Sequence, residues 1–321
     1  MNLPITKNIS LESDEGLAES FLRHLNLKGL SGNTVKSYAF DLSMFIAYVN
    51  ARKQTIYTAD ANFIYDFFDY LYRTRGNSMR TISRKYETLK SIYAWLMDTD
   101  RIEYKQNPMR NIKPPKFSRK IPDAPDMDDV RRILSVIDRN SPRGLRDFVA
   151  VSLLAESGMR IGSLVKIKLT DINVEQKTCI IWVKGNKYNI EYCSKKMVDL
   201  LHHYIKNVRH ILASSIKSDY LFINHSGKQI TTRFLSRQIK LYAKQAGVRM
   251  SVTAHALRHF VAQDIIWNGG DLSYAQEKLN HSSIQVTKDI YGKLPSKRQR
   301  EIMDRMRPNV LGGFPKEILA R

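Results

Sequence analysis

The sequence predicts a mainly α-helical protein of two domains: an all-helical first domain, and an α+β second domain holding one small antiparallel sheet. Three observations carry this. The chain has 321 residues, about twice an ordinary domain. Its first hundred residues repeat apolar side chains at helical spacing with no convincing strand. Only residues 177–193 alternate like a strand pair, around a Gly-Asn-Lys turn.

The elements follow in order. Leu17, Phe21, Leu22 and Leu25 line a first helix. Ser31-Gly32-Asn33-Thr34 offers N-cap residues for a second, with Val35, Tyr38, Leu42, Phe45, Ile46 and Val49 on its apolar face. Asn62 is placed to cap a third, carrying Phe63, Ile64, Phe67, Phe68 and Leu71. After Gly76-Asn77-Ser78, a fourth bears Ile82, Tyr86, Leu89, Ile92, Tyr93 and Leu96. Residues 106–122 read as a basic, proline-stiffened linker between a domain at 1–105 and another at 123–321. In the second domain Asp126-Met127-Asp128-Asp129 caps a helix, and residues 145–155 form a buried one ending at Ser157-Gly158. Cys179, Ile181 and Val183 share one face of a strand, with Ile180, Trp182 and Lys184 on the other. Further helices are expected at 196–213, 232–247, 254–267, 273–279 and 296–306.

Composition excludes several classes. Hydrophobic residues make up 43%, too many for a disordered chain. Two cysteines cannot build a disulfide framework or a thiolate zinc site. No apolar run reaches the ~18 residues of a membrane helix, and residues 12–19 are acidic where a secretory signal would be apolar. A cytoplasmic protein is expected. The formal net charge of +21 costs self-repulsion and draws the molecule to polyanions. Residues 1–117 carry 17 basic and 12 acidic side chains, and the remainder 35 and 19, so the second domain is the stronger polyanion binder.

Candidate contacts to a duplex backbone are Thr34 and Lys36 at a helix start, where amides and dipole favour phosphate. Arg80, Arg84 and Lys85 on the fourth helix join them, with Lys113 and Lys116 in the linker. The candidates for chemistry are more specific. Arg160 follows a buried helix and a glycine break. His255 and Arg258 stand at i, i+3 on a helix's first turn, beside its positive end, where a cation is disfavoured unless an anion binds. Lys184, His281 and Tyr291 complete an ordered set in the basic domain. His255 and His259 lack the further ligands of a zinc sphere.

At these residues the sequence resembles the tyrosine recombinases, the lambda-integrase family that includes the Xer recombinases, phage integrases and some transposases. Ser31-Gly32-Asn33-Thr34-Val35-Lys36-Ser37-Tyr38 resembles the opening of the family's core-binding domain. Ala155-Glu156-Ser157-Gly158-Met159-Arg160-Ile161 is similar to the box of the first catalytic arginine, and Lys184-Gly185-Asn186-Lys187 to the turn bearing the catalytic lysine. His255-Ala256-Leu257-Arg258-His259, Leu279-Asn280-His281 and Tyr291 resemble the second box. Two positions depart from the pattern: Ser163 stands where an acidic residue is common, and Asn280 where glycine precedes the histidine.

The resemblance implies a SAM-like core-binding domain and an α+β catalytic domain. It also implies a site-specific recombinase or integrase that needs neither metal, cofactor nor ATP. Tyr291 would attack a DNA phosphodiester, leaving a 3′-phosphotyrosyl link and a free 5′-hydroxyl. Arg160 and Arg258 offer forked donors to the charge that gathers on the non-bridging oxygens. A phenol of pKa about 10 needs cationic neighbours or a base such as His255. Lys184 would protonate the leaving oxygen and His281 would donate to the phosphate. The expected partners are duplex DNA with paired sites and three further copies of the chain, a tetramer assembling on DNA from monomers in solution. The tail after Gly312-Gly313 would dock on a neighbouring subunit. Competing readings are a one-strand topoisomerase-like relaxer, a non-catalytic DNA-binding protein of the same fold, and a metal-dependent nuclease, against which the scarcity of clustered carboxylates argues.

Overall fold

The computed structural model describes residues 12–116, 123–183, 187–213 and 217–279. It separates into two compact units, Met1–Arg119 and Lys120–Arg321.

The first unit is helical throughout: α1 (Asp14–Leu27), α2 (Gly32–Asn50), α3 (Ala61–Asp69) and α4 (Met79–Asp98). Ser31 caps α2 by accepting from the Thr34 N–H, and Ser78 caps α4 the same way. The cap of α3 is Asp60 rather than Asn62: its carboxylate accepts from the Phe63 N–H at 2.8 Å. A single π-turn, Tyr70–Thr74, extends α3. The apolar stripes read from the sequence face inward, and Phe45, Tyr48 and Phe67 pack ring against ring at 5.0 Å. The opening of the expected linker belongs to this core. Two 3-10 turns cover residues 104–111, Met109 and Ile112 are buried, and the Tyr86 hydroxyl donates to the Ile112 carbonyl at 2.8 Å. The extended chain begins only at Lys113.

The second unit is built around α6 (Pro142–Ser157), preceded by α5 (Met127–Ser135). Asp126 caps α5 in a reciprocal capping box with Asp129. Val149, Ala150, Val151, Leu153 and Leu154 are buried over more than half of the circumference of α6, which places the helix in the interior. A four-residue helix, α7 (Ile161–Leu164), follows, and then a three-stranded antiparallel sheet of β1 (Ile172–Asn173), β2 (Thr178–Val183) and β3 (Lys187–Tyr192) in that order. The alternation read from the sequence holds: Cys179 and Ile181 face the core, while Trp182 is 40% exposed and stacks edge-on against its cross-strand partner Tyr188. Both thiols are buried and free, and burial pushes that of Cys193 up to about 11. The helices α8 (Lys195–His203), α9 (Arg209–Ala213), α10 (Thr232–Gln245), α11 (Ala254–Trp267) and α12 (Leu272–Leu279) close the core, with α11 against α6. Among the described residues no helix is long and apolar enough to cross a membrane.

Candidate active site and DNA-facing surface

The site begins where α6 stops. Gly158 ends that helix in the left-handed conformation at φ +66°. A side chain there would also collide with Leu279, whose Cδ2 lies 2.6 Å from the Cβ position, and crowd Val261. The chain turns, and Arg160 becomes the N-cap residue of α7 with an exposed side chain.

Arg258 enters this turn from α11. It is 4% exposed, and its Nη1 donates to the Gly158 carbonyl at 2.7 Å while Nη2 donates to the Leu279 carbonyl. One guanidinium therefore joins the segment leading into Arg160 to the end of α12, two residues before His281 in the chain. A planar fork with donors at fixed angles can bridge two carbonyls in this way, where a lysine would offer one flexible point charge. His255, one turn before Arg258, is exposed, and its ring meets that of buried His259 at 4.3 Å and 73°. The structure thus joins Arg258 to the turn that carries Arg160, with His255 exposed about one helical turn away on α11. Lys184, His281 and Tyr291 lie outside the described residues. Among those described, no cluster of three or more His, Cys, Asp or Glu could hold a metal ion.

A cavity of about 530 Å³ in the second unit lies elsewhere, among Asp138, Arg143, His225 and Thr231. Its buried polar pair is already engaged internally: Arg146 binds Asp147 at 2.7 Å, and Tyr242 donates to the same carboxylate at 2.8 Å. The exposed Arg160 and His255, with Arg258 buried behind them, suit a macromolecular substrate lying across them better than a small molecule enclosed by them.

Residues 126–298 match the phage integrase family, and residues 18–100 match the N-terminal SAM-like domain of phage integrases. The chain belongs to the phage integrase family. It is 31% identical over 296 residues to the tyrosine recombinase XerD of Listeria innocua, spanning 91% of this chain and 98% of that protein. It is 30% identical over 297 residues to XerD of Staphylococcus haemolyticus, spanning 92% and 99%. In fold it is similar to the XerH site-specific recombinase bound to a palindromic difH substrate in a post-cleavage complex, with a TM-score of 0.73 at 23% identity over 90% of this chain and 83% of that one. It is also similar to residues 75–356 of lambda integrase, as a dimer bound to a COC′ core site, with a TM-score of 0.69 at 15% identity over 88% and 97%.

For a phage integrase the residues expected to meet DNA fall into three groups. Lys36, Arg80, Lys113 and Lys116 are exposed. Thr34 is half-buried, its hydroxyl sharing a 2.7 Å hydrogen bond with Ser31, and Arg84 leans inward to Ser37 at 2.8 Å and to Asp41. Lys85 is inside: 2% exposed, with its ammonium on Asp41 at 2.8 Å. Four positions after Thr81 on a helix that also buries Ile82, Tyr86 and Leu89, it shares the core-facing side, and it is a structural residue rather than a DNA contact.

Sequence reasoning passed over a basic stripe on α10. Arg233, Arg237, Lys240 and Lys244 are all exposed at i, i+4, i+7 and i+11, on a helix without a single acidic residue. The signal is the i, i+4, i+7, i+11 spacing itself, which lies outside every motif of the family pattern. Reasoning from sequence also gave no sign of three side-chain ties around the hairpin. Ser163 donates to the Trp182 carbonyl at 2.9 Å, Glu156 accepts from the Ser194 N–H at 2.7 Å, and Lys278 pairs with Glu191. Burial holds the Glu191 carboxyl above the usual range against the pull of Lys278.

Proposed function

We propose that Arg160, Lys184, His255, Arg258, His281 and Tyr291 act together on a single DNA phosphodiester. The reaction class follows from the family: the chain is a site-specific tyrosine recombinase. Tyr291 Oη attacks phosphorus, the bond from phosphorus to O5′ breaks, and the phenol proton passes to a base, His255. Lys184 supplies the proton that O5′ takes up. Arg160 and Arg258 hold the non-bridging oxygens as charge accumulates there, and His281 adds a hydrogen bond. The phosphodiester becomes a phosphotyrosyl ester without loss of a high-energy bond, so a 5′-hydroxyl of another strand can reverse the step and complete an exchange.

The observation that supports this reading best is the pair of hydrogen bonds that Arg258 donates to the Gly158 and Leu279 carbonyls. It ties one guanidinium to two carbonyls, two residues before Arg160 and two residues before His281 in the chain. DNA is gripped by the exposed bases of the first unit and by the α10 stripe, at phosphates rather than base edges. Assembly as a tetramer on paired sites, from monomers in solution, with the segment 312–321 (outside the described residues) docking in trans, completes the proposal.

A nicked suicide substrate incubated in EDTA tests the chemistry. We expect a denaturation-resistant protein–DNA complex that Tyr291→Phe abolishes. Arg258→Ala should slow its formation by roughly 10²–10³, the usual cost of one oxyanion donor. A complex persisting in the phenylalanine variant would overturn the nucleophile, and cleavage only with magnesium would favour a nuclease.

A further inference from the structure

We propose that Ser163 is a positioning residue that fastens the Arg160 turn to the strand leading into Lys184, and that it acts on departure of the 5′-oxygen. The inference rests on the catalytic reading above and assigns a role to a side chain outside the reacting set.

Ser163 is the third helical residue after the Arg160 cap, and its N–H donates to the Arg160 carbonyl at 2.8 Å. Its side chain points the other way. At 8% exposure, Ser163 Oγ donates to the Trp182 carbonyl at 2.9 Å. The strand β1 pairs with β2 only at Thr178 and Cys179; further along β2 it is the Ser163 side chain that bonds the Trp182 carbonyl.

Trp182 is itself held firmly. It pairs with Tyr188 across the hairpin, its ring meets the Tyr188 ring at 5.9 Å, and its indole N–H donates to Asp171 at 3.4 Å. The Asp171 carboxylate is held in turn by the Lys168 N–H at 2.8 Å. One hydroxyl thus connects the Arg160 turn to a fixed point two residues before Lys184 in the chain. A general acid must meet the oxygen it protonates within hydrogen-bond reach. A misplacement of about 1 Å can cost on the order of 10²-fold in rate. The tie needs a donor on residue 163, because its partner is a carbonyl oxygen. A carboxylate in that place would set acceptor against acceptor in a buried spot.

The test uses the full chain with two nicked substrates, one with the natural scissile phosphodiester and one with sulfur at the bridging 5′ position. A thiolate leaves without a proton, so the second substrate removes the demand on the general acid. Single-turnover formation of the covalent complex is measured for wild type, Ser163→Ala, Ser163→Thr and Ser163→Asp. DNA affinity, measured by gel shift, confirms that each variant is folded.

On the phosphodiester we expect Ser163→Ala to be slower by on the order of 10-fold, Ser163→Thr to recover to within about 3-fold of wild type, and Ser163→Asp to be no faster than alanine. On the sulfur substrate the alanine defect should largely disappear. Three results would overturn the proposal: an alanine variant as fast as wild type, an equal defect on both substrates, or an aspartate variant faster than serine. If wild type itself forms no covalent complex with either substrate, the catalytic reading fails instead.

Discussion

Lys85 in the first unit and Arg258 in the second are both buried basic side chains on helices, and they are held differently. Lys85 of α4 sits against a carboxylate: Asp41 receives its ammonium at 2.8 Å, and also Arg84 and the Thr88 hydroxyl at 3.1 Å. Arg258 of α11 has two carbonyl oxygens as its described anchors, on Gly158 and Leu279. A carboxylate cancels the charge it binds, whereas a carbonyl orients a guanidinium and leaves its formal charge in place. The first arrangement fastens two helices of a DNA-gripping domain. The second ties α11 to the Gly158 turn and to the end of α12, and under the catalytic reading proposed above it also sets the direction of the guanidinium.

The strongest way to break this contrast is to remove Asp41. Asp41→Ala leaves the Lys85 ammonium buried without its partner, and the first unit should lose about 3–5 kcal/mol. Replacing both residues, as in Asp41→Leu with Lys85→Met, should restore most of that loss, because the pair contributes little beyond a well-packed apolar contact. Hydrogen exchange of the α2 and α4 amides in the full chain reads both variants. If the double variant is as unstable as the single one, the pair has a role beyond mutual neutralisation.

The same pair shows how far the sequence could be read. The helices of the first unit were legible from periodicity and caps, since those signals lie within four residues of one another. The fate of Lys85 was not, because Asp41 stands 44 positions earlier and only packing brings it near. The linker boundary failed for the same reason: Met109 and Ile112 look like parts of a basic, proline-rich stretch until Tyr86 is seen bonding to Ile112. In the second unit β1 has two residues, too few to alternate, and the short helix after Arg160 was equally invisible. Arg160, His255 and Arg258 were legible because their chemistry demands particular residue types in order. Ser163 was visible only as a departure from the family pattern, with nothing in the sequence to say which carbonyl it binds.

A second pair of variants sharpens the picture around Arg160, which has a glycine on either side. Gly158 lies at φ +66° with Leu279 at 2.6 Å from its missing Cβ, while Gly162 has nothing within 4 Å and an ordinary backbone. Gly158→Ala should cost roughly 1–2 kcal/mol for the left-handed backbone alone. It should cost more in cleavage, since the displaced carbonyl is an anchor of Arg258. Gly162→Ala should stay within about 1 kcal/mol of wild type, and on the stable side. Thermal unfolding and covalent-complex formation measured side by side check both. Equal effects of the two substitutions would show that the Gly158 carbonyl does not position the arginine.

The smallest expected effect returns to the first unit, where one buried carboxylate, Asp14, has no salt bridge among the described residues. Asp14 is buried at the start of α1 and accepts from the Ile56 N–H at 3.0 Å. Burial outweighs that hydrogen bond and raises its pKa above the usual value of 3.8. An acid whose folded pKa is raised binds its proton more tightly in the folded chain. Its contribution to stability is therefore complete below pH 3.8 and is lost as pH rises through the higher folded value. Asp14→Asn keeps an oxygen for Ile56 and carries no charge at any pH. The variant should gain on wild type as pH is raised from 4 toward 7, with the two curves parallel thereafter. Denaturant unfolding across that range measures the gap. A gap that stays constant would mean that the Asp14 carboxylate is matched after all, and the contrast between carboxylates that hold a cation and carboxylates that do not would lose its second half.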